Sequence, residues 1–289
     1  MQTETGGFVM LARCLRAPTS GIWPQDRGKF KEKARGMKFQ LVQNLAVRSY
    51  TRVRLNKTIS RADLAAPALR PQAARLRRFL WLMLLRGEPF AVNGVLKRRW
   101  RVRWHKRWEY ERGLAYVPWQ PAWRVLDFGG GATLPVFYLA NCGLEIASYD
   151  IAPELTGWAK TLAEKRHWRL AASTRDLTVE PLAADDTFDW AMSFCVLEHL
   201  PRGTQRRAIR LLADCLKPGG YLSVTFDFGP EAPVADALRG LDDVAELIQA
   251  TGLEQMDGQA FEDTGERFVL DKRHPAARFT FGALFLRKG

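Results

Sequence analysis

A carboxylate and three glycines stand together at Asp127-Phe128-Gly129-Gly130-Gly131, and a second carboxylate, Asp150, closes the stretch "LEIASYD". Glycine lets backbone approach a ligand closely, and the start of a following helix supplies free N–H groups. An acid that ends the next strand can accept hydrogen bonds from both hydroxyls of a ribose. Together they suit a nucleoside held at the carboxyl ends of parallel strands. The spacing Gly129-x-Gly131-x-Thr133 lacks the third glycine of the dinucleotide fingerprint. No Gly-Lys-Ser/Thr ending follows, which argues against a nucleoside triphosphate.

Further segments carry chemistry downstream: Arg175-Asp176-Leu177, then "FDWAMSFCVLEHLP", which holds Cys195, Glu198 and His199, then Lys217-Pro218-Gly219-Gly220. With "VLDFGGG" and Asp150 they resemble the class I S-adenosylmethionine-dependent methyltransferases of the small-molecule "type 11" kind, over about Trp123 to Lys288. The resemblance implies S-adenosyl-L-methionine as cofactor. The backbone from Phe128 through Gly129, Gly130 and Gly131 would cradle its methionine moiety, with Asp127 supporting the turn or reaching the amino group. Asp150 would hold the ribose with Ile151 beside the adenine. Asp176 would accept from the adenine N6 amine next to Leu177, and Cys195 would be buried or line the cofactor. Departures are Gly130 where cysteine is frequent, Thr133 for the last small residue, and Cys195 within the fourth motif.

A sulfonium methyl is already activated, so its transfer needs in-line positioning and exclusion of water. A base is needed only if the acceptor must lose a proton. His199 is the candidate, and Glu198 reads as structural or as a cap. The Asn/Asp-Pro-Pro-Tyr/Phe signature of enzymes acting on exocyclic amines is absent, and Cys195 lacks the proline that flanks the nucleophile of cytosine-C5 enzymes. The sequence shows no metal-ligand spacing. Its four scattered cysteines suggest a reducing compartment, so the protein is expected in the cytoplasm or peripheral to a membrane.

The elements that must position these residues alternate. "RVLDF", "LEIASYD", "FDWAMSFCV" and "GYLSVTFDF" read as strands, with "RFVL" and "RFTFGALFLRK" near the end as an antiparallel pair. Helical patterns lie around 134–140, 155–164, 205–215 and 242–250. This implies an α/β fold, a doubly wound, mostly parallel, seven-stranded Rossmann-like sheet, with a basic helical N-terminal extension.

Charge divides the chain. Residues 1–121 hold 26 Lys and Arg against 7 Asp and Glu, and residues 122–289 hold 18 against 24. Three regions follow: a flexible basic segment over 1–40, where Met37 offers a second start, a basic Trp-rich helical cap over 41–121, and the cofactor-binding domain over 122–289. A helix is expected over 71–86. Trp100, Trp104 and Trp108 then fall on one face of a second helix. Six of the ten tryptophans lie between Trp81 and Trp123, which favours a lid or wall over the acceptor pocket from about Leu96 to Trp119. The "WEY" at 108–110 also resembles a segment that precedes this domain in some bacterial methyltransferases, which would place Trp108 and Tyr110 at the acceptor. Three surroundings stay open for residues 70–112: a cap with its arginines in solvent, an anionic membrane surface, or RNA. The acceptor is accordingly a small molecule, glycan or lipid, with RNA methylation or RNA binding as the alternative. No apolar run is long enough to span a bilayer.

Overall fold

The computed structural model describes residues 54–180, 182, 187–270 and 276–289. The basic segment 1–40 and Met37 lie outside the described residues. The elements run β1 (Lys57–Thr58), α1 (Arg70–Leu85), β2 (Phe90–Val92), β3 (Val95–Lys97), α2 (Trp104–Ala115), β4 (Arg124–Phe128), α3 (Leu134–Asn141), β5 (Glu145–Asp150), α4 (Pro153–Arg166) and β6 (Leu170–Thr174). They continue with β7 (Phe188–Phe194), α5 (Arg202–Asp214), β8 (Leu216–Phe228), α6 (Leu241–Thr251), β9 (Glu254–Gln255), β10 (Phe268–Val269) and β11 (Arg278–Arg287).

The main sheet has the order β1-β11-β8-β7-β4-β5-β6. Strands β4 to β8 are mutually parallel, and β11 returns antiparallel beside β8. The chain steps outward from β4 through β5 to β6, then crosses back to β7 on the other side of β4. The glycine turn after β4 therefore lies at the point where strand order reverses, where such sheets bind ligands. The outer edge of β11 is covered by three two-residue strands, β10, β1 and β9, so little backbone is left open to a neighbour.

Strand β8 shows how the sequence sorts the two faces. Leu222, Val224, Phe226 and Phe228 join Ile209 and Leu212 of α5 and Val244 and Leu247 of α6 in one buried cluster. The alternate residues Ser223, Thr225 and Asp227 turn to the other face. There α2 lies against the sheet: a Cβ on Gly113 would strike the Phe194 ring, His105 stacks on Phe281 at 5.0 Å, and Tyr116 meets Phe285 edge-on at 5.5 Å. The segment Lys217–Gly220, read as a turn, is a bend inside β8, made by Gly219 at φ +77°.

One expectation for the N-terminal region is revised. The tryptophan stripe does not lie on one continuous helix, because Asn93 and Gly94, both at positive φ, fold a β2–β3 hairpin and α2 begins only at Trp104. Trp100 stands before the helix and is 62% exposed, whereas Trp108 is 1% exposed. Among the described residues, contacts run across the change of charge near residue 121: Phe79 meets Tyr138 edge-on and α2 packs on the sheet. Arg112 departs from the solvated arginines: fully buried, it donates to the carbonyls of Arg54 and Leu55 at 2.8 and 2.6 Å and lies over the rings of Trp108, Tyr116 and Phe285.

Candidate active site

The turn after β4 can be built only from glycine. Gly129 and Gly131 have φ of +76° and +48°. A Cβ on Gly129 would come 2.6 Å from Val196, one on Gly130 would strike the Asp127 carboxylate, and one on Gly131 would come 2.8 Å from Asp150 Oδ2. The glycines thus clear space for the protein's own side chains, and they let Asp127 of β4, Asp150 at the end of β5 and Val196 after β7 meet at one turn.

The two acids have different tasks. Asp127 is 2% exposed; its Oδ2 accepts from the Ser148 hydroxyl at 2.6 Å, and it also accepts from the Gly130 and Gly131 amides. Burial pushes its carboxyl up to about 7 against the pull of those donors. It braces the turn from beneath. Asp150 is half-buried at the end of β5, where Oδ1 accepts from Ala152 N at 2.8 Å. Burial raises its pKa and the backbone N–H groups only partly offset this, so further hydroxyl donors would satisfy it. Ile151 beside it is 73% exposed, an apolar surface ready for a flat ring. Asp176 is exposed with Oδ1 engaged by the Thr178 amide and hydroxyl, and Leu177 is buried beneath in the core. Phe128 is 7% exposed and contributes backbone. This arrangement fits a ribose and adenine at the carboxyl end of β5 with the amino-acid tail along the glycine turn.

The remaining candidates differ in exposure. Trp108 packs the core against Arg112 and faces no acceptor, because a ring 1% exposed has no open surface. Tyr110, 8% exposed, has its ring 6.4 Å from that of Phe194, and burial raises its phenol. His199 stands exposed at the end of the short 3-10 turn Leu197–His199, its pKa lowered by partial burial and by Lys106. Cys195, at φ +56°, donates its Sγ–H to Glu109 Oε2 at 2.7 Å.

That contact opens a group of charges that sequence reasoning missed. Lys106 and Glu109 of α2 pair at 3.2 Å, and Thr225 donates to the same Glu109 oxygen at 3.4 Å. Glu198 is 1% exposed. Burial and then Asp227 raise its carboxyl to about 8. Burial and then Glu109 raise Asp227 to about 7. Glu109, although buried, is held below the usual range by Lys106. The signal was present in part: Ser223, Thr225 and Asp227 alternate with apolar residues, and a polar row on an inner strand needs partners on the facing layer.

The N-terminal region adjoins this site. Ala91 N in β2 donates to Ala132 O next to the glycine turn at 2.7 Å, and Trp158 of α4 donates to Pro89 O at 2.9 Å. A separate cleft of about 420 Å³ lies at the opposite, amino ends of β4, β5 and β6, lined by Arg124, Glu145 and Arg169 and remote from the glycine turn.

Residues 126–224 match the family described as the methyltransferase domain of type 11. The chain carries a class I methyltransferase domain. It is 35% identical over 127 residues to a ubiquinone biosynthesis O-methyltransferase of Xanthomonas oryzae pv. oryzae, a match covering 43% of this chain and 52% of the relative. The counterpart in Xanthomonas campestris pv. campestris is 33% identical over 130 residues, covering 44% and 53%. The chain thus spans about half the length of the curated relatives it matches. The methyltransferase domain also superposes on a solved [4+2]-cyclase, SpnF, with a TM-score of 0.54 at 20% identity, over 74% of this chain and 93% of that one. Such a likeness carries the fold and not the reaction.

Proposed function

We propose that this protein transfers the methyl group of S-adenosylmethionine to an oxygen of a small apolar acceptor. The observation that carries the reading is the meeting of Gly131 with Asp150: the tight turn after β4 lies against a half-buried carboxylate, short of donors, at the end of β5. The cofactor would supply the activated methyl. The chain's residues would do the rest: Asp127 braces the turn, Asp150 holds the ribose hydroxyls, and α2 walls the site against water on one side. The O-methyltransferases among the relatives favour an oxygen acceptor. Calorimetry with S-adenosylmethionine and its demethylated product should show binding, and Asp150→Ala should weaken it about ten- to hundredfold, the equivalent of losing ~1.5–3 kcal/mol of charge-assisted hydrogen bonding. Undiminished binding in that variant would falsify the assignment. Labelled methyl transfer into hydroxylated aromatic lipids, other metabolites and RNA then selects the acceptor.

The finer reading is that the acceptor is drawn from an anionic membrane surface. Trp81 and Leu85, one helical turn apart on α1, are 49% and 81% exposed, and Val95 and Trp100 are 52% and 62% exposed. Arginines surround them: Arg77 is exposed one turn before Trp81, and the Arg98 guanidinium lies 3.9 Å from where a Cβ on Gly87 would stand. Exposed aliphatic and indole groups among arginines suit a lipid interface, whereas RNA phosphates call only for charge and RNA bases only for flat rings. No helix among the described residues is long and apolar enough to cross a membrane.

A further inference from the structure

We propose that Cys195, Glu198 and Asp227 form a binding site for a divalent transition-metal ion of zinc's chemistry, next to the glycine turn. One ligand atom from each of the three lies within 4.8 Å of the others, so side-chain shifts of about 1 Å would bring all three to a single ion with bonds of about 2.0–2.3 Å. Their positions follow from the fold. Cys195 is the first residue past β7, Glu198 lies on the 3-10 turn after it, and Asp227 ends the polar row of β8. Val196, between the first two, is the residue a Cβ on Gly129 would meet.

Two carboxylates there are incompletely satisfied. Glu198 Oε2 is buried without a hydrogen-bond partner on a residue 1% exposed, and Glu109 Oε1, on a residue 0% exposed, has His105 Nδ1 facing it only at 3.8 Å. Burying carboxylate oxygens in this way is costly unless a cation or donor meets them. The donor set selects the ion. Hard cations such as magnesium take oxygen ligands, whereas a thiolate beside two carboxylates draws zinc, cobalt or iron. A short polar cation would satisfy the carboxylates but makes no use of the sulfur. Three protein ligands leave a fourth position open to water or an acceptor oxygen.

Lys106 stands as the local cation. Its ammonium lies 3.2 Å from Glu109 Oε2 and also engages Cys195. Its side chain is 21% exposed, so it reaches the group from the surface and can withdraw. Metal binding would displace it. The Cys195 thiol would lose its proton to solvent as the sulfur–metal bond forms.

The test uses the full chain treated with a chelator, titrated with cobalt(II) as probe. The expected result is one equivalent bound with the near-ultraviolet charge-transfer band of a cobalt–thiolate. That band should vanish in Cys195→Ser and persist in Cys142→Ser. Glu198→Gln and Asp227→Asn should each weaken binding tenfold or more. Lys106→Met should tighten it, since it removes a competing cation. Should Cys195→Ser fail to fold, the wild-type melting temperature still decides: zinc should raise it, and should not raise that of Asp227→Asn. No cobalt band, a band that survives Cys195→Ser, or looser binding in Lys106→Met would overturn the proposal. The readout is metal binding alone, so its failure leaves the methyl-transfer reading intact.

Discussion

Asp127 shows how much a single residue of a familiar pattern can leave unsaid. Its place before the glycines is legible in the sequence, but its burial and its contact with Ser148 come from the pairing of β4 with β5. A folded-state pKa of about 7 against an ordinary value of 3.8 makes a signed prediction. The native state holds this proton more tightly than the unfolded chain, so the group's penalty is absent below pH 4. It accrues as pH rises towards 7, to on the order of 3–4 kcal/mol. The charges bearing on Asp127 are Asp150 and, on α2, Tyr110. In Asp127→Asn, Ser148 can reverse its hydroxyl bond and the amide oxygen can still accept from the turn. Stability of this variant relative to wild type should therefore climb between pH 4 and 7 and level off above. Chemical denaturation at several pH values measures it, and a flat difference would show Asp127 ionised throughout. The charged group around Glu109 was illegible for a plain reason: Lys106, Glu109, Cys195, Glu198 and Asp227 come from four separate elements, and no spacing in the chain announces their meeting.

At the scale of elements, the strands that were readable are those with a full alternation or a buried apolar run. "RVLDF" is β4 as written, and the final strand β11 matches "RFTFGALFLR". Strand β6, "LAAST", escaped because alanine and serine carry little strand preference and only its neighbour β5 fixes it. Strands β1 and β9 hold two residues each, too short for any periodicity. The β2–β3 hairpin was missed despite a readable signal, Asn93-Gly94 between the apolar Phe90-Ala91-Val92 and Val95-Leu96. Helix α2 carries two predictions. Gly113→Ala would ordinarily steady a helix by up to ~1 kcal/mol. Here the new methyl strikes the Phe194 ring, and the overpacking should cost about 1–3 kcal/mol instead. A rise in melting temperature would mean that α2 is not pressed onto β7. Trp108→Ala should cost about 3–5 kcal/mol as a lost core aromatic, and thermal unfolding will read it.

The whole molecule joins two regions of opposite charge through continuous packing. The basic N-terminal region is bound to the sheet by β1 and by the buried Arg112, while Arg99, Arg101 and Arg103 stand exposed. Replacing those three by Gln should leave the melting temperature nearly unchanged and reduce sedimentation with anionic vesicles at low salt. Neutral vesicles should bind neither form, and Trp100→Ala should weaken the anionic binding further. Binding to RNA in place of vesicles would assign the surface to nucleic acid. The edge of β11 has one more consequence, for the order in which the protein is made. Phe285 N donates to Asn56 Oδ1 across 229 positions of sequence, so the first described strand gains its β11 neighbour only after the parallel strands between them have been made. Until then the outer side of β8 is open, and His105 and Tyr116 lack the Phe281 and Phe285 rings they pack on. Completion of the sheet therefore waits on its most distant pairing in sequence, and the arrival of β11 covers β8 and seats β1 in one step.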